Sequence, residues 1–144
     1  MKALLDTNVV LDVLLDRAPH AVASSAVLSL VESGAVRGSL CATSVTTVHY
    51  LLAKALGQRV ARRHLETLLS LCDVAPVTED VLRDALSAGF ADYEDAVVHA
   101  AALRSHAAVI VSRDATGFKS AKIPVVSPAE LLATLRRNLN PSKP

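Results

Sequence analysis

The chain has very few aromatic residues: two Phe, two Tyr and no Trp in 144 positions, 3% of the total. Its core must therefore be built from Ala, Val and Leu, as expected for helices packed closely on a parallel sheet. Cysteine is scarce too. Cys41 and Cys72 lie far apart, without the close pairs used by thiolate metal sites, and are expected to be reduced, partly buried thiols. Neither sign of charge dominates. With 15 basic and 14 acidic side chains the formal net charge is +1, so any attraction for nucleic acid must come from local clustering. No window approaches the roughly 20 apolar residues needed to span a bilayer, because Asp6, Asp12 and Asp16 interrupt the leading stretch. No secretory signal is evident, and the expectation is a soluble, cytoplasmic protein with no membrane partner.

Apolar residues make up 51% of the chain, and there is no repeat, low-complexity linker or second composition regime. That fits one domain over 1–138 with a flexible tail over 139–144. Lys2–Leu5 reads as a first strand, Val9–Leu15 and Ala21–Ser33 as helices, and Gly38–Ala42 as a second strand. Helices follow over Thr46–Leu56 and Gln58–Leu71, then a short extended piece at Val74–Val77 and a helix over Thr78–Ala88. A helix over Asp92–Ser105 leads into the apolar strand Ala107–Ser112, and Ile123–Val126 forms a last strand. Ser127-Pro128-Ala129-Glu130 combines a cap, Pro at the first helical position and Glu three residues on, opening a helix to about Arg137. Strands separated by helices argue for an α/β fold: a three-layer α/β/α sandwich around a central, mostly parallel sheet.

The acids carry the chemistry. Asp6 follows the first strand and Asp114 follows the strand Ala107–Ser112, so parallel pairing brings both to one sheet edge. Asp92-Tyr93-Glu94-Asp95 opens the helix leading into that second strand, and its N-terminus returns to the same edge. Asp95 can thus meet Asp6 and Asp114 across 89 and 19 residues of sequence. Crowded carboxylates repel, so either one keeps a proton or a cation neutralises them. An all-oxygen set suits Mg²⁺ or Mn²⁺, ions that hold a phosphodiester, acidify a bound water and stabilise a leaving oxygen. Plainer roles are open to each acid: Asp6 as a helix cap, Asp92 as the N-cap of its helix and Asp95 as its capping-box partner. Glu94 faces another side under helical spacing, as a ligand or a supporting group. Asp12 and Asp16 read as surface or turn residues, with contact to the site as the lesser alternative.

Taken together, Leu5-Asp6-Thr7-Asn8, Asp92-Tyr93-Glu94-Asp95-Ala96, Val111-Ser112-Arg113-Asp114 with Phe118, and Ile123-Pro124-Val125-Val126-Ser127-Pro128 resemble the PIN domain over nearly the whole chain. The resemblance is greatest to small, single-domain bacterial members related to VapC toxins. It implies a metal-dependent endoribonuclease acting on RNA, held inactive by a cognate antitoxin protein and forming a homodimer. Position by position, it implies that Asp6, Asp95 and Asp114 bind the metal and catalyse, with Glu94 a further candidate ligand. Thr7, Asn8, Ser112 and Asp92 would support them. Two positions depart from the family pattern: Thr46-Thr47-Val48-His49-Tyr50 lacks the usual helix Glu, and Gly117 stands where Asp often precedes the Phe. His49 is read as a partly buried structural residue or as a metal or phosphate contact. Tyr50 either packs beside it or stacks on a base. Arg59, Arg62 and Arg63 share one helix face and either track an RNA backbone or form a solvated surface, whereas Arg113 is better placed to meet a phosphate, with balancing the acids as its other role.

Three functions compete at this level. The leading one is an endoribonuclease toxin. A PIN-like module that binds RNA or protein without cleaving it is the second, favoured by His49 and Gly117. A phosphohydrolase with Asp6 as covalent nucleophile is the third, weakened by Asn8 where a second Asp is expected.

Overall fold

Five parallel strands form the middle layer of the protein, in a computed structural model that describes residues 1–139. In chain order the elements are β1 (Lys2–Leu5), α1 (Thr7–Leu14), α2 (Ala21–Glu32), β2 (Arg37–Cys41), α3 (Ala42–Leu56), α4 (Gln58–Leu71) and β3 (Asp73–Ala75). There follow α5 (Glu79–Leu86), α6 (Tyr93–Arg104), β4 (Val109–Val111), a 3₁₀ turn (Ala115–Phe118), β5 (Val125–Val126) and α7 (Pro128–Leu139). The strand order is β3-β2-β1-β4-β5 and every pairing is parallel. The sheet expected to be mostly parallel is wholly so among the described residues. The order reverses direction between β1 and β4, and such a switch point opens a crevice at the carboxyl ends of the strands.

Side chains alternate across the strands and divide the core in two. Ala3, Leu5, Leu40, Val109 and Val111 pack with Val9, Val27, Val48, Leu68 and Leu131, under α1–α4 and α7. Leu4, Cys41, Ala75 and Ile110 pack on the other side with Val81, Ala85, Val97 and Ala101, under α5 and α6. These two faces are the outer layers of the three-layer sandwich. Gly38 permits a close approach within the first: a Cβ there would lie 2.9 Å from both methyls of Val31 and 3.3 Å from Cys72 Sγ. Both cysteines are buried and unpaired, and the Cys72 thiol is pushed up to about 11, first by burial and then by Asp73.

Several helix starts differ from the expectation. α1 begins at Thr7 rather than Val9, because Asp6 is extended (φ −70°, ψ 156°) and its side chain accepts the Thr7 amide. α3 begins at Ala42 rather than Thr46. Its threonines satisfy their hydroxyls on the helix itself, Thr46 and Thr47 both donating to the Thr43 carbonyl at 2.9 and 3.3 Å. α7 extends past Arg137 to Leu139, and the remainder of the expected tail, 140–144, lies outside the described residues. Among the described residues no helix is long and apolar enough to cross a membrane.

Candidate active site at the carboxyl edge of the sheet

Pairing of Leu5 with Val111 in the β1–β4 register places Asp6 beside Ser112, one residue past the end of each strand. The Asp6 amide donates to the Val111 carbonyl at 2.9 Å, so the ladder runs up to the site itself. Asp6 is buried. Its Oδ1 accepts from the Thr7 amide at 2.9 Å and its Oδ2 from the Ser112 hydroxyl at 2.7 Å. Burial raises its pKa, the two hydrogen bonds oppose that, and the Asp114 charge adds to it. Ser112 Oγ in turn accepts from the Asp114 amide at 3.1 Å and from Asn8 Nδ2 at 3.4 Å, while Asn8 Oδ1 accepts the Arg113 amide at 3.3 Å. A single buried hydroxyl thus ties both strand ends together.

Asp95 arrives from the first turn of α6. Asp92 caps that helix by accepting the Asp95 amide at 3.0 Å, as its capping reading anticipates. A Cβ built on Gly117 would lie 2.6 Å from Asp95 Oδ2 and 3.7 Å from Asp114 Oδ2, so the two carboxylates flank one point occupied by no side chain. Asp95 is pushed up to about 6 by burial, then by Asp92, Asp6, Asp114 and Glu94. Asp114 is lowered, chiefly because Thr116 Oγ1 donates to it at 2.5 Å. Asp6, Thr7, Asn8, Asp92, Glu94, Asp95 and Arg113 line one open cleft; Glu94 shares it with Asp95 rather than turning away.

These donors are all oxygens, which matches a hard divalent cation in chemistry. Among the described residues, however, no three His, Cys, Asp or Glu side chains are gathered closely enough to hold an ion as they stand. Mutual repulsion and the separate hydrogen-bond ties of Asp6 and Asp114 oppose a tighter cluster.

Asp12 corrects its sequence reading: it is fully buried on α1, not a surface residue. Arg113 Nε and Nη2 donate to its two oxygens at 2.5 and 3.1 Å, and Arg17 Nε lies 3.2 Å away. Arg113 lines the acidic cleft, but with one edge of its guanidinium bound to Asp12. The signal in the sequence was an acid amid Val9, Val10 and Leu11, inside the apolar stripe of a helix. His99 was missed too. It is buried, Nε2 accepts the Lys122 amide at 3.0 Å, and its ring lies 4.9 Å from that of Phe90, which meets Phe118 edge-on. This clamp fixes the turn that carries Asp114 and Gly117. Burial, and secondarily Lys122, lower the His99 pKa.

Other residues stand away from the cleft. Arg59, Arg62 and Arg63 are exposed on α4, and none lines it. His49 is half-buried on α3, also outside it. Tyr50, next to His49 on α3, is 64% exposed and does not line the cleft either.

The PIN domain family model matches residues 2–116. No curated protein matches the chain. Among solved structures it is similar to VapBC2 from Rickettsia felis bound to a promoter DNA fragment, with a TM-score of 0.67 at 12% identity, covering 88% of this chain and 98% of that one. A toxin–antitoxin complex from Klebsiella pneumoniae gives 0.66 at 21% identity, covering 88% and 97%. The sarcin–ricin loop cleaving toxin VapC20 from Mycobacterium tuberculosis gives 0.63 at 15%, covering 78% and 90%. At these identities the solved structures share the fold, and the match over residues 2–116 identifies the chain as a member of the PIN domain family.

Proposed function

We propose that this PIN domain is a Mg²⁺- or Mn²⁺-dependent endoribonuclease and the toxin of a type II toxin–antitoxin pair. The carrying observation is the arrival of Asp6, Asp95 and Asp114, from three separate chain segments, at the β1–β4 switch point. Asp6, Asp95 and Asp114 would hold the metal, with Glu94 at the rim. When bound, that ion supplies charge neutralisation and an acidified water for phosphodiester hydrolysis. Thr7 and Ser112 fix the Asp6 carboxylate, Asn8 braces Ser112 and the Arg113 backbone, and Asp92 orients the turn bearing Asp95. Arg113 uses its remaining N–H groups on a backbone phosphate, while Arg59, Arg62 and Arg63 on α4 add salt-dependent contacts farther along the strand. The toxin–antitoxin complexes among similar folds support a cognate antitoxin partner; a homodimer and a cytoplasmic setting belong to the same proposal.

Incubation with a mixed single-stranded RNA pool, with and without EDTA, tests the proposal. Cleavage with Mg²⁺ or Mn²⁺ that EDTA stops is expected. Equal activity in both arms, or none with several metals, ends it. A module that binds RNA without cutting it is the second reading, favoured by the ungathered carboxylates and by Gly117. Retention of the RNA without cleavage in the same experiment would select it.

A further inference from the structure

Behind Arg113, away from the acids, α2 and α7 enclose a second cleft of about 340 Å³. Both helices run twelve residues and turn their N-terminal ends to it, so two positive dipole ends converge. His20 at the start of α2 provides no side-chain cap. In α7, Pro128 has no amide hydrogen, the Glu130 amide goes to Ser127 Oγ and the Leu131 amide to the Ser127 carbonyl. Ala129, which lines the cleft, keeps its amide unclaimed among the described residues. The floor supplies an independent sign of a ligand. Ser24 is fully buried, lines the cleft, and its hydroxyl has no hydrogen-bond partner among the described residues. A buried hydroxyl without a partner is costly unless something fills the space before it.

The charge balance is also favourable to an anion. Asp12 faces both Arg17 and Arg113, two guanidinium groups against one carboxylate. Arg113 lines this cleft and the acidic one alike. Its Nη1 edge is free of Asp12, which holds the guanidinium in place by its other edge.

We infer that the α2–α7 cleft is a phosphate subsite, holding a backbone phosphate of the RNA next to the one presented to the acids. This rests on the nuclease reading for the strand's path, since Arg113 is the wall common to both clefts. The donors are Ser24 Oγ, the Ala129 amide, the His20 ring and Arg113. The subsite sets the register of the strand and acts in binding.

Two substitutions separate this from a structural role. Ser24→Ala removes a hydroxyl that pairs with nothing, and Ala23→Glu places an acid in the first turn of α2, where the dipole favours it. Both leave thermal stability unchanged or raised. Binding of a labelled single-stranded RNA, measured in EDTA, should weaken about tenfold for Ser24→Ala and more for Ala23→Glu, with the cleavage defect appearing in KM. Inorganic phosphate alone should shift the amide resonances of Ser24 and Ala129 in the wild type and not in Ala23→Glu. Unchanged RNA affinity and KM in both variants would overturn the subsite, even with cleavage intact. So would amide shifts produced by an acidic peptide but not by phosphate or RNA. If no metal supports cleavage while both variants still lose RNA affinity, the nuclease reading falls and the subsite stands.

Discussion

Ser112 Oγ donates to Asp6 Oδ2 at 2.7 Å across 106 residues of sequence, joining the ends of β4 and β1 beneath the acidic cleft. Both residues are buried, so the bond works in a low-dielectric setting where losing a partner is costly. Ser112→Ala should destabilise the protein by about 1–3 kcal/mol and reduce cleavage, and Ser112→Thr should restore both. Chemical denaturation and RNA cleavage measure the pair of effects; full activity in the Ala variant would contradict the link.

Asp6→Asn should behave differently, losing cleavage while keeping the fold. The amide retains an acceptor for the Thr7 N–H and removes a carboxylate whose burial is unfavourable. A loss of at least about a hundredfold in cleavage is expected, with the melting temperature within about 5 °C of wild type. Wild-type turnover in a nuclease-free preparation would remove Asp6 from the chemistry.

Asp12→Ala should be more damaging to stability than any substitution among the cleft acids. It deletes a fully buried carboxylate and leaves Arg113 and Arg17 facing each other without a counter-charge. Because both guanidinium groups are partly exposed, the cost should fall to about 2–3 kcal/mol, below that of a wholly buried pair. Urea unfolding would read it directly.

Stability should also depend on Asp95 with a definite sign. Its carboxyl titrates at about 6 in the fold against 3.8 for an unperturbed aspartate. The folded state therefore binds the extra proton between these values, and stability falls as pH rises from about 4 to 6. His99, with its lowered pKa, pulls the opposite way as pH falls below the usual histidine range. Subtracting the Asp95→Asn curve isolates the first effect: the variant should gain about 1 kcal/mol on wild type above pH 6, after solvent screening, and nothing near pH 4. Added Mn²⁺ should raise the wild-type melting temperature at pH 7.5 and not at pH 4.5.

Gly117→Ala should lower cleavage with little cost to folding. The new methyl would sit 2.6 Å from Asp95 Oδ2, and a carboxylate at the end of a partly exposed side chain can swing away. Cleavage assays alongside thermal melts would distinguish this from a neutral substitution. On the sequence alone Gly117 reads as a missing acid; in the structure it is the space between two acids.

Local chemistry determined much of the protein without help from tertiary contacts. Short apolar runs separated by helical segments specified a parallel sheet between helical layers, and Asp92 and Ser127 announced two helix starts by capping chemistry. The order of Asp6, Asp95 and Asp114 along strands and helix also indicated that they share one edge. Other features were settled only by packing between distant segments. Asp12 is buried because Arg113, 101 residues away, neutralises it, and no window of sequence contains both. His99 lies in an unremarkable helix until Lys122 and Phe90 close around it. The spacing of the carboxylates, and the empty-handed hydroxyl of Ser24, likewise depend on where separate helices end. Periodicity and caps act over a few residues, whereas charge pairing and desolvation are properties of neighbours that only the folded chain supplies.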